Sequence, residues 1–127
     1  MPLVRISFMK GKPEGFGKKV GEIVYQAMVK TINVPIKDNF QIITEHATNE
    51  LIYDPDYLDI KRTEGVVFIQ ITLNEGRTVE LKKALYETVA GRLNKELGIR
   101  IEDILINLVE VKKENWSFGN GVAQYAQ

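Results

Sequence analysis

The sequence predicts an α/β fold in which two β-α-β units form one four-stranded sheet with two helices on one face. Two observations predict it: the chain repeats itself, and both halves show the same order of strand, helix and strand patterns. With 127 residues, the chain has the size of one domain that can bury a sizeable core. We therefore interpret residues 1–127 as a single domain, in which repeats at about 2–46 and 67–111 are joined by a linker, residues 47–65.

The repeat becomes visible when the sequence is aligned with itself at a constant offset of 65 residues, the separation of Gly11 and Gly76. Average residue usage would give only about three identities over residues 3–46. Nine are present: Ile6/Ile71, Gly11/Gly76, Lys18/Lys83, Glu22/Glu87, Val24/Val89, Lys30/Lys95, Ile36/Ile101, Asp38/Asp103 and Glu45/Glu110. The match indicates an internal duplication, which fixes the architecture.

Each half begins and ends with a strand pattern. The opening strands, Leu3–Met9 and Val66–Asn74, are rich in β-branched and aromatic residues. The closing strands are predicted at Phe40–Thr44 and Ile104–Val109. Strands joined by a crossover helix normally run parallel, so each half predicts a parallel pair. The apolar runs of the strands predict burial on both faces of the sheet, and self-association is the simplest way to cover the face without helices.

Apolar residues at three- and four-residue steps predict one helix in each half. The first runs from about Glu14 to Ile32 and the second from about Thr78 to Leu97. Thr78 is a suitable N-cap, and Gly98 ends the second helix as a left-handed residue would. The linker between the halves is interpreted as an ordered surface loop and as a candidate wall of the active site.

Composition excludes several classes of function. Lys+Arg and Asp+Glu number 17 each, so no basic excess indicates nucleic-acid binding. The absence of cysteine excludes disulfides and thiolate metal sites, and His46 is the single histidine, so a zinc site is not expected. The function favoured below implies no metal and no organic cofactor. No apolar stretch approaches the ~20 residues that cross a bilayer. Without a cleavage signal at the start, we expect a soluble cytoplasmic protein that does not bind membranes.

Pro2 follows the initiator methionine and is the first candidate functional residue. Removal of Met1 would expose a secondary amine at the chain start. A free α-amino group titrates near ~8, and burial beside a cation lowers its pKa further. An amine that is neutral near pH 7 is suited to proton transfer. Many chains begin with Met-Pro without any chemistry, so Pro2 needs support from other residues.

Three segments resemble the tautomerase superfamily, and in particular its malonate semialdehyde decarboxylase-like branch. Residues 34–41, Val-Pro-Ile-Lys-Asp-Asn-Phe-Gln, resemble the VPxxDRxQ segment of that branch. Residues 75–78, Glu-Gly-Arg-Thr, resemble its arginine-bearing turn. Residues 116–121, Trp-Ser-Phe-Gly-Asn-Gly, resemble the WSFGxG motif and are the most specific match.

The resemblance implies a tautomerase-like fold, a homotrimer and a small carboxylate-bearing substrate. It implies that Pro2 is the catalytic amine and that Asp38 orients or activates water or substrate. Arg77 would hold the substrate carboxylate, while Trp116 and Phe118 would shape an apolar pocket wall. The chain also departs from the pattern, which leaves the substrate open. Asn39 replaces an arginine, and Glu75 replaces the first arginine of an Arg-x-Arg turn.

The repeat provides a test that does not depend on the resemblance. Pro2 aligns with Val67, which is ordinary strand filler, whereas Asp38 aligns with Asp103. A carboxylate that recurs has an alternative role as a turn residue that binds backbone N–H groups. Arg77 aligns with the basic Lys12, so a solvated turn cation and a bidentate carboxylate clamp both stay open.

Other candidate roles also stay open at this point. Arg77 approaches Pro2 only if the first and third strands are antiparallel, or across a subunit boundary. His46 aligns with Val111, which favours a structural polar cap over an acid–base role. The glycines beside Trp116 and Phe118 favour a shaped wall over ordinary core aromatics.

Three functions compete. The favoured one is an isomerase, a tautomerase in which neutral Pro2 moves a proton of a small 2-oxo acid. The second is a lyase, a decarboxylase or hydratase of small 3-oxo or unsaturated acids, in which protonated Pro2 polarises a carbonyl. The third is a non-catalytic trimeric scaffold that has kept only the fold.

Overall fold

The structure is a computed structural model that describes residues 1–126. Within that range the main elements are β1 (Leu3–Met9), α1 (Phe16–Ile32), β2 (Phe40–His46), β3 (Val67–Asn74), α2 (Val79–Leu97) and β4 (Ile104–Val111). Short 3₁₀ turns occur at Tyr57–Asp59, Ile101–Asp103 and Lys113–Asn115. The predicted order of strands and helices is confirmed in both halves, and the closing strands run slightly further than predicted.

The sheet has the strand order β2-β1-β3-β4. The pairs β1/β2 and β3/β4 are parallel, as predicted for each β-α-β unit, and the central pair β1/β3 is antiparallel. Leu3 therefore pairs with Thr72. The start of β1 lies beside the end of β3, so the antiparallel alternative brings Pro2 and the Arg77 turn together within one chain.

Both helices pack against one face of this sheet and against each other. The central strands contribute alternate side chains to the core, because successive residues of a strand point to opposite faces. The fully buried side chains of this core include Val4, Ile6 and Phe8 of β1, Ile69, Ile71 and Leu73 of β3, and Val20, Val24, Met28, Leu85, Val89 and Leu93 of the helices.

Local capping explains where the helices begin and end. Helix α1 begins at Phe16, later than predicted, because Gly15 precedes it in a left-handed conformation with φ 80°. The Thr78 side chain accepts the Leu81 N–H at 3.2 Å, which confirms it as the N-cap of α2. Gly98 ends α2 with φ 68°, as the sequence predicted.

The other face of the sheet is only partly covered. Phe40 and Ile42 of β2, and Leu105 and Val109 of β4, stay exposed. The predicted burial of these strands on both faces is therefore not reached within one chain. In residues 1–126, no helix is long and apolar enough to cross a membrane. The cytoplasmic location stays a prediction.

The linker packs at the end of β1 opposite Pro2. Leu51 is buried there in a small cluster with Met9 and Val66. The residues that line the Pro2 pocket belong to other segments, so the interpretation of the linker as a wall of the active site stays a prediction.

Candidate functional site

Pro2 is buried at the beginning of β1 and lines a small pocket. The pocket has a volume of about 220 Å³, and its other lining residues are Leu3, Phe40 and residues 116–118. This size suits a small molecule rather than a large cofactor. Residues 116–118, which belong to the WSFGxG-like motif, therefore form one wall of the cavity that Pro2 also lines.

Asp38 lies beside the chain start. Its Oδ2 is 3.7 Å from the Met1 amine, and the side chain is only 9% exposed. Its Oδ1 is buried and has no hydrogen-bond partner within residues 1–126. A buried carboxylate oxygen without a partner is costly, so Asp38 does not have the usual environment of a turn residue.

The environment shifts both groups toward their neutral forms. Burial lowers the pKa of the terminal amine below its usual value; the Asp38 charge opposes this shift, and the Arg77 and Lys113 charges add to it. Burial likewise raises the pKa of the Asp38 carboxyl, against the effects of the terminal amine and of Arg77. The pair is thus a poorly compensated ion pair, in which desolvation outweighs mutual attraction.

Arg77 is half-buried and fixed by two backbone carbonyls. Its Nε donates to the Ile32 carbonyl at 3.0 Å, and its Nη1 donates to the Asn74 carbonyl at 3.2 Å. These bonds tie the guanidinium to the end of α1 and to the end of β3. A guanidinium has five N–H donors in all, so others are left for an anion. Arg77 is therefore more constrained than a solvated turn cation.

Trp116 and Phe118 form an aromatic wall. Their rings stack with centroids 5.3 Å apart and planes 16° apart. Tyr125 meets Phe118 edge to face, with a centroid distance of 5.0 Å. The Trp116 indole Nε1–H donates to the Asn74 Oδ1 at 2.7 Å, which sets the orientation of the ring.

Asn74 and Lys113 belong to this site but were missed in the sequence. Asn74 binds Arg77 through its main chain and Trp116 through its side chain. Its repeat partner is the apolar Met9, and this difference in polarity was the signal that could have found it. Lys113 follows β4, where the first repeat has no equivalent element, so the repeat contained no signal for it.

The two departures from the family pattern lie at the edge of the site. Glu75 lines a neighbouring cavity of about 500 Å³, together with Asn74, Lys113 and Tyr125, and does not border the Pro2 pocket. Asn39 is exposed beside Asp38. The Glu75 carboxylate is therefore not a lining group of the cavity in which the amine lies.

Two other polar residues of the sequence lie elsewhere. His46 pairs with Met9 at the far end of β1 from Pro2, so it is not part of the pocket. Gln41 donates to the Gly21 carbonyl of α1 at 2.8 Å, which is a structural role. Across residues 1–126, no three histidine or acidic side chains gather in a group that could hold a metal ion.

Known proteins are similar to this chain in sequence. A family model described as "Tautomerase enzyme" matches residues 38–119. The chain is 44% identical over 124 residues to the probable tautomerase YusQ of Bacillus subtilis (strain 168), with 98% of each chain covered.

Solved structures are also similar. The crystal structure of FG41 malonate semialdehyde decarboxylase inhibited by 3-bromopropiolate has a TM-score of 0.90 and 30% identity, and covers 97% of this chain and 93% of that one. A fused 4-OT wild-type symmetric trimer has a TM-score of 0.79 and 24% identity, with 98% of each chain covered, and its likeness shows the fold alone.

Proposed function

This chain belongs to the tautomerase family, and from that premise we propose that it catalyses keto–enol tautomerisation of small 2-oxo acids with Pro2 as the proton-transferring amine. The proposal requires removal of Met1, which places the secondary amine of Pro2 at the chain start. The observation that carries it is the buried chain start. The Met1 amine lies 3.7 Å from Asp38 Oδ2 and is affected by the Arg77 charge, and Pro2 lines a pocket of about 220 Å³.

The reaction needs only one proton and no external reagent. Neutral Pro2 accepts the proton of the enol hydroxyl, and the electron pair of that O–H bond forms the carbonyl. The carbon–carbon double bond then takes a proton from the Pro2 ammonium at carbon, which returns the amine to its neutral form. Burial and the Arg77 charge lower the pKa of the Met1 amine in this structure. We expect the same surroundings to favour the neutral form of the Pro2 amine, as a general base requires.

The other residues bind the substrate and balance charge. Arg77 is held in place by the Ile32 and Asn74 carbonyls and presents further N–H donors to the substrate carboxylate. Asp38 stabilises the ammonium that forms during the reaction. The Trp116 and Phe118 rings bound the apolar part of the substrate and exclude water from it.

A second candidate is decarboxylation or hydration of a small 3-oxo or unsaturated acid. The unpartnered Asp38 Oδ1 favours it, because this atom could accept a hydrogen bond from water or substrate. The likeness to a malonate semialdehyde decarboxylase also favours it. In decarboxylation, protonated Pro2 would donate a hydrogen bond to the 3-oxo oxygen while the bond to the carboxylate carbon breaks. CO₂ leaves, the electron pair of that bond forms the enolate, and the enolate carbon then takes a proton. That step requires an amine pKa above the working pH.

We also propose a homotrimer. Phe40, Ile42, Leu105 and Val109 leave apolar surface exposed on the sheet face opposite the helices, which a second copy of the chain would cover. A neighbour of the same fold is a symmetric trimer. Sedimentation at micromolar concentration should give three times the mass of the chain, and a monomer would contradict this part of the proposal.

The test is ketonisation of enolic phenylpyruvate by the wild type, Pro2→Ala and the control Pro13→Ala, across pH. Intact mass must first show that Met1 is absent from every sample. We expect Pro13→Ala to match the wild type and Pro2→Ala to lose activity. The wild-type rate should rise with pH through one ionisation below the usual ~8 of an α-amino group. A wild type that releases CO₂ from 3-oxo acids but leaves the enol untouched would support the decarboxylase. Inactivity in both assays would leave the trimeric scaffold.

A further inference from the structure

Equivalent four-residue turns lead to the two aspartates. The turns are residues 35–38 and 100–103, which align at the repeat offset. The Asp38 N–H donates to the Pro35 carbonyl at 3.2 Å, and the Asp103 N–H donates to the Arg100 carbonyl at 2.9 Å. Both turns are thus closed by the same bond between the first and fourth residues.

The turns differ in the conformation of their third residue. Lys37 is left-handed with φ 75°, as in a type II turn, whereas Glu102 lies in the 3₁₀ helix Ile101–Asp103. Type II turns place glycine or asparagine at this position, because other side chains are strained there. The two turn types differ by a flip of the central peptide, so the Lys37 N–H points to the opposite side from its equivalent in the second repeat.

A side chain of α1 binds the flipped peptide. The Lys37 N–H donates to the Tyr25 hydroxyl at 2.8 Å. The repeat partner of Tyr25 is Ala90, which has no group that can accept this bond. The strained backbone and its polar partner therefore occur together in the first repeat and are both missing from the second.

We propose that Tyr25 is a positioning residue, whose hydroxyl holds the turn at residues 35–38 in the flipped form that presents Asp38 to the chain-start amine. Strained backbone persists only where surrounding contacts hold it, and it is concentrated at functional sites. Here the strained residue directly precedes Asp38, whose Oδ2 lies 3.7 Å from the Met1 amine. The expected effect of Tyr25 on activity rests on the proposed function. The expected effect of Tyr25 on the position of Asp38 does not.

The test combines Tyr25→Phe with Lys37→Gly and uses Tyr86→Phe on α2 as the matched control. Glycine adopts the left-handed conformation without strain, so it should keep the turn flipped without the tyrosine hydroxyl. We expect Tyr25→Phe to lower kcat at least about fivefold at nearly unchanged KM, since misplacement of catalytic groups by ~1 Å can cost up to about 100-fold. The double variant should return to within about twofold of Lys37→Gly alone.

An NMR titration of the Asp38 carboxyl gives a readout that does not need activity. In Tyr25→Phe, the midpoint of the Asp38 titration should shift towards that of an ordinary aspartate. Adding Lys37→Gly to this variant should restore the wild-type midpoint. If Tyr25→Phe matches Tyr86→Phe in both readouts, or if glycine restores neither, the inference is overturned. An inactive wild type would contradict the proposed function, while the Asp38 titration would still decide the role of Tyr25.

Discussion

Asp38 and Asp103 occupy equivalent positions of the two repeats, yet their surroundings differ completely. Asp103 Oδ1 accepts the Thr63 N–H at 2.7 Å and an Arg100 N–H at 3.3 Å, and its Oδ2 accepts the Thr63 hydroxyl at 2.6 Å. Asp38 has only the chain-start amine at 3.7 Å, and its Oδ1 is unpartnered among the described residues.

The chain that enters each central strand explains the difference. Before β3, the end of the linker supplies Thr63, whose main-chain and side-chain groups satisfy Asp103. Before β1, the neighbour of Asp38 is the Met1 amine, 3.7 Å from its Oδ2. One repeat thus has a carboxylate that is satisfied by hydrogen bonds, and the other has one with an unpartnered oxygen, which the proposed function uses for chemistry. If the proposal is right, the imbalance is the kind expected where stability is given up in favour of function.

The largest expected difference between the repeats is in activity. Asp38→Asn should lower kcat for ketonisation by about 100-fold, because it removes the charge that supports the ammonium formed in the reaction. Asp103→Asn, the matched change, should keep kcat within about threefold of the wild type. Steady-state kinetics on folded, Met1-free samples checks this. Equal losses in both variants would contradict the division of roles.

For stability we expect the opposite order, with the larger loss in the Asp103 variant. Asp103→Asn removes a buried carboxylate that accepts three hydrogen bonds, and we expect it to lower the free energy of unfolding by about 2–3 kcal/mol. Asp38→Asn should leave this free energy unchanged or raise it at pH 7, because it removes a poorly compensated charge. Denaturant unfolding measures both. Strong destabilisation by Asp38→Asn would show that this carboxylate is structural after all.

The two basic turn residues offer a third comparison. Arg77→Lys loses the two-carbonyl anchor and the planar donor set, so we expect KM for the 2-oxo acid to rise about tenfold. Lys12, its repeat partner, lies over the Phe16 ring at 5.4 Å. Lys12→Ala should therefore leave KM unchanged and lower stability by at most about 1 kcal/mol. A KM that responds equally to both changes would argue against Arg77 as the carboxylate clamp.

The smallest expected effect is the pH dependence of stability. Because the pKa of folded Asp38 is raised, folded protein keeps this proton to higher pH than unfolded protein does. Its contribution to stability is therefore present below the unfolded pKa and is lost as pH rises through the folded pKa. The advantage of Asp38→Asn over the wild type should grow upward from about pH 4. If the difference in the free energy of unfolding between Asp38→Asn and the wild type stays constant from pH 4 to 8, the raised pKa of Asp38 is contradicted.

Most of the fold could be predicted from the sequence, because the repeat allowed the strands and helices predicted in one half to be checked against those in the other. The strand Leu3–Met9, the Thr78 N-cap and the Gly98 terminus follow from local patterns and were confirmed. The antiparallel pairing of β1 and β3 could not be predicted, since nothing local distinguishes the two directions. It decides whether Pro2 and Arg77 meet within one chain.

The sequence predicted candidate site residues, which stay a prediction, but it did not predict the contacts that hold them in place. The motifs identified Asp38, Trp116 and Phe118, yet the bond from Trp116 to Asn74 joins residues 42 positions apart. Likewise, nothing in the sequence of the equivalent turns shows that one peptide is flipped onto Tyr25. Such contacts depend on how separate elements pack, which residue patterns do not encode locally.

The most direct test of the account is the pKa of the chain-start amine, measured by ¹⁵N NMR titration in the Met1-free protein and in Asp38→Asn. Burial and the Arg77 charge lower the pKa of the Met1 amine. We expect the same surroundings to place the pKa of the Pro2 amine in the Met1-free wild type below the usual ~8 of an α-amino group. Loss of the Asp38 charge, which supports the ammonium, should lower it further. An amine that titrates at or above its usual value, and does not respond to Asp38→Asn, would contradict the claim that the first repeat has become a proton-transfer site.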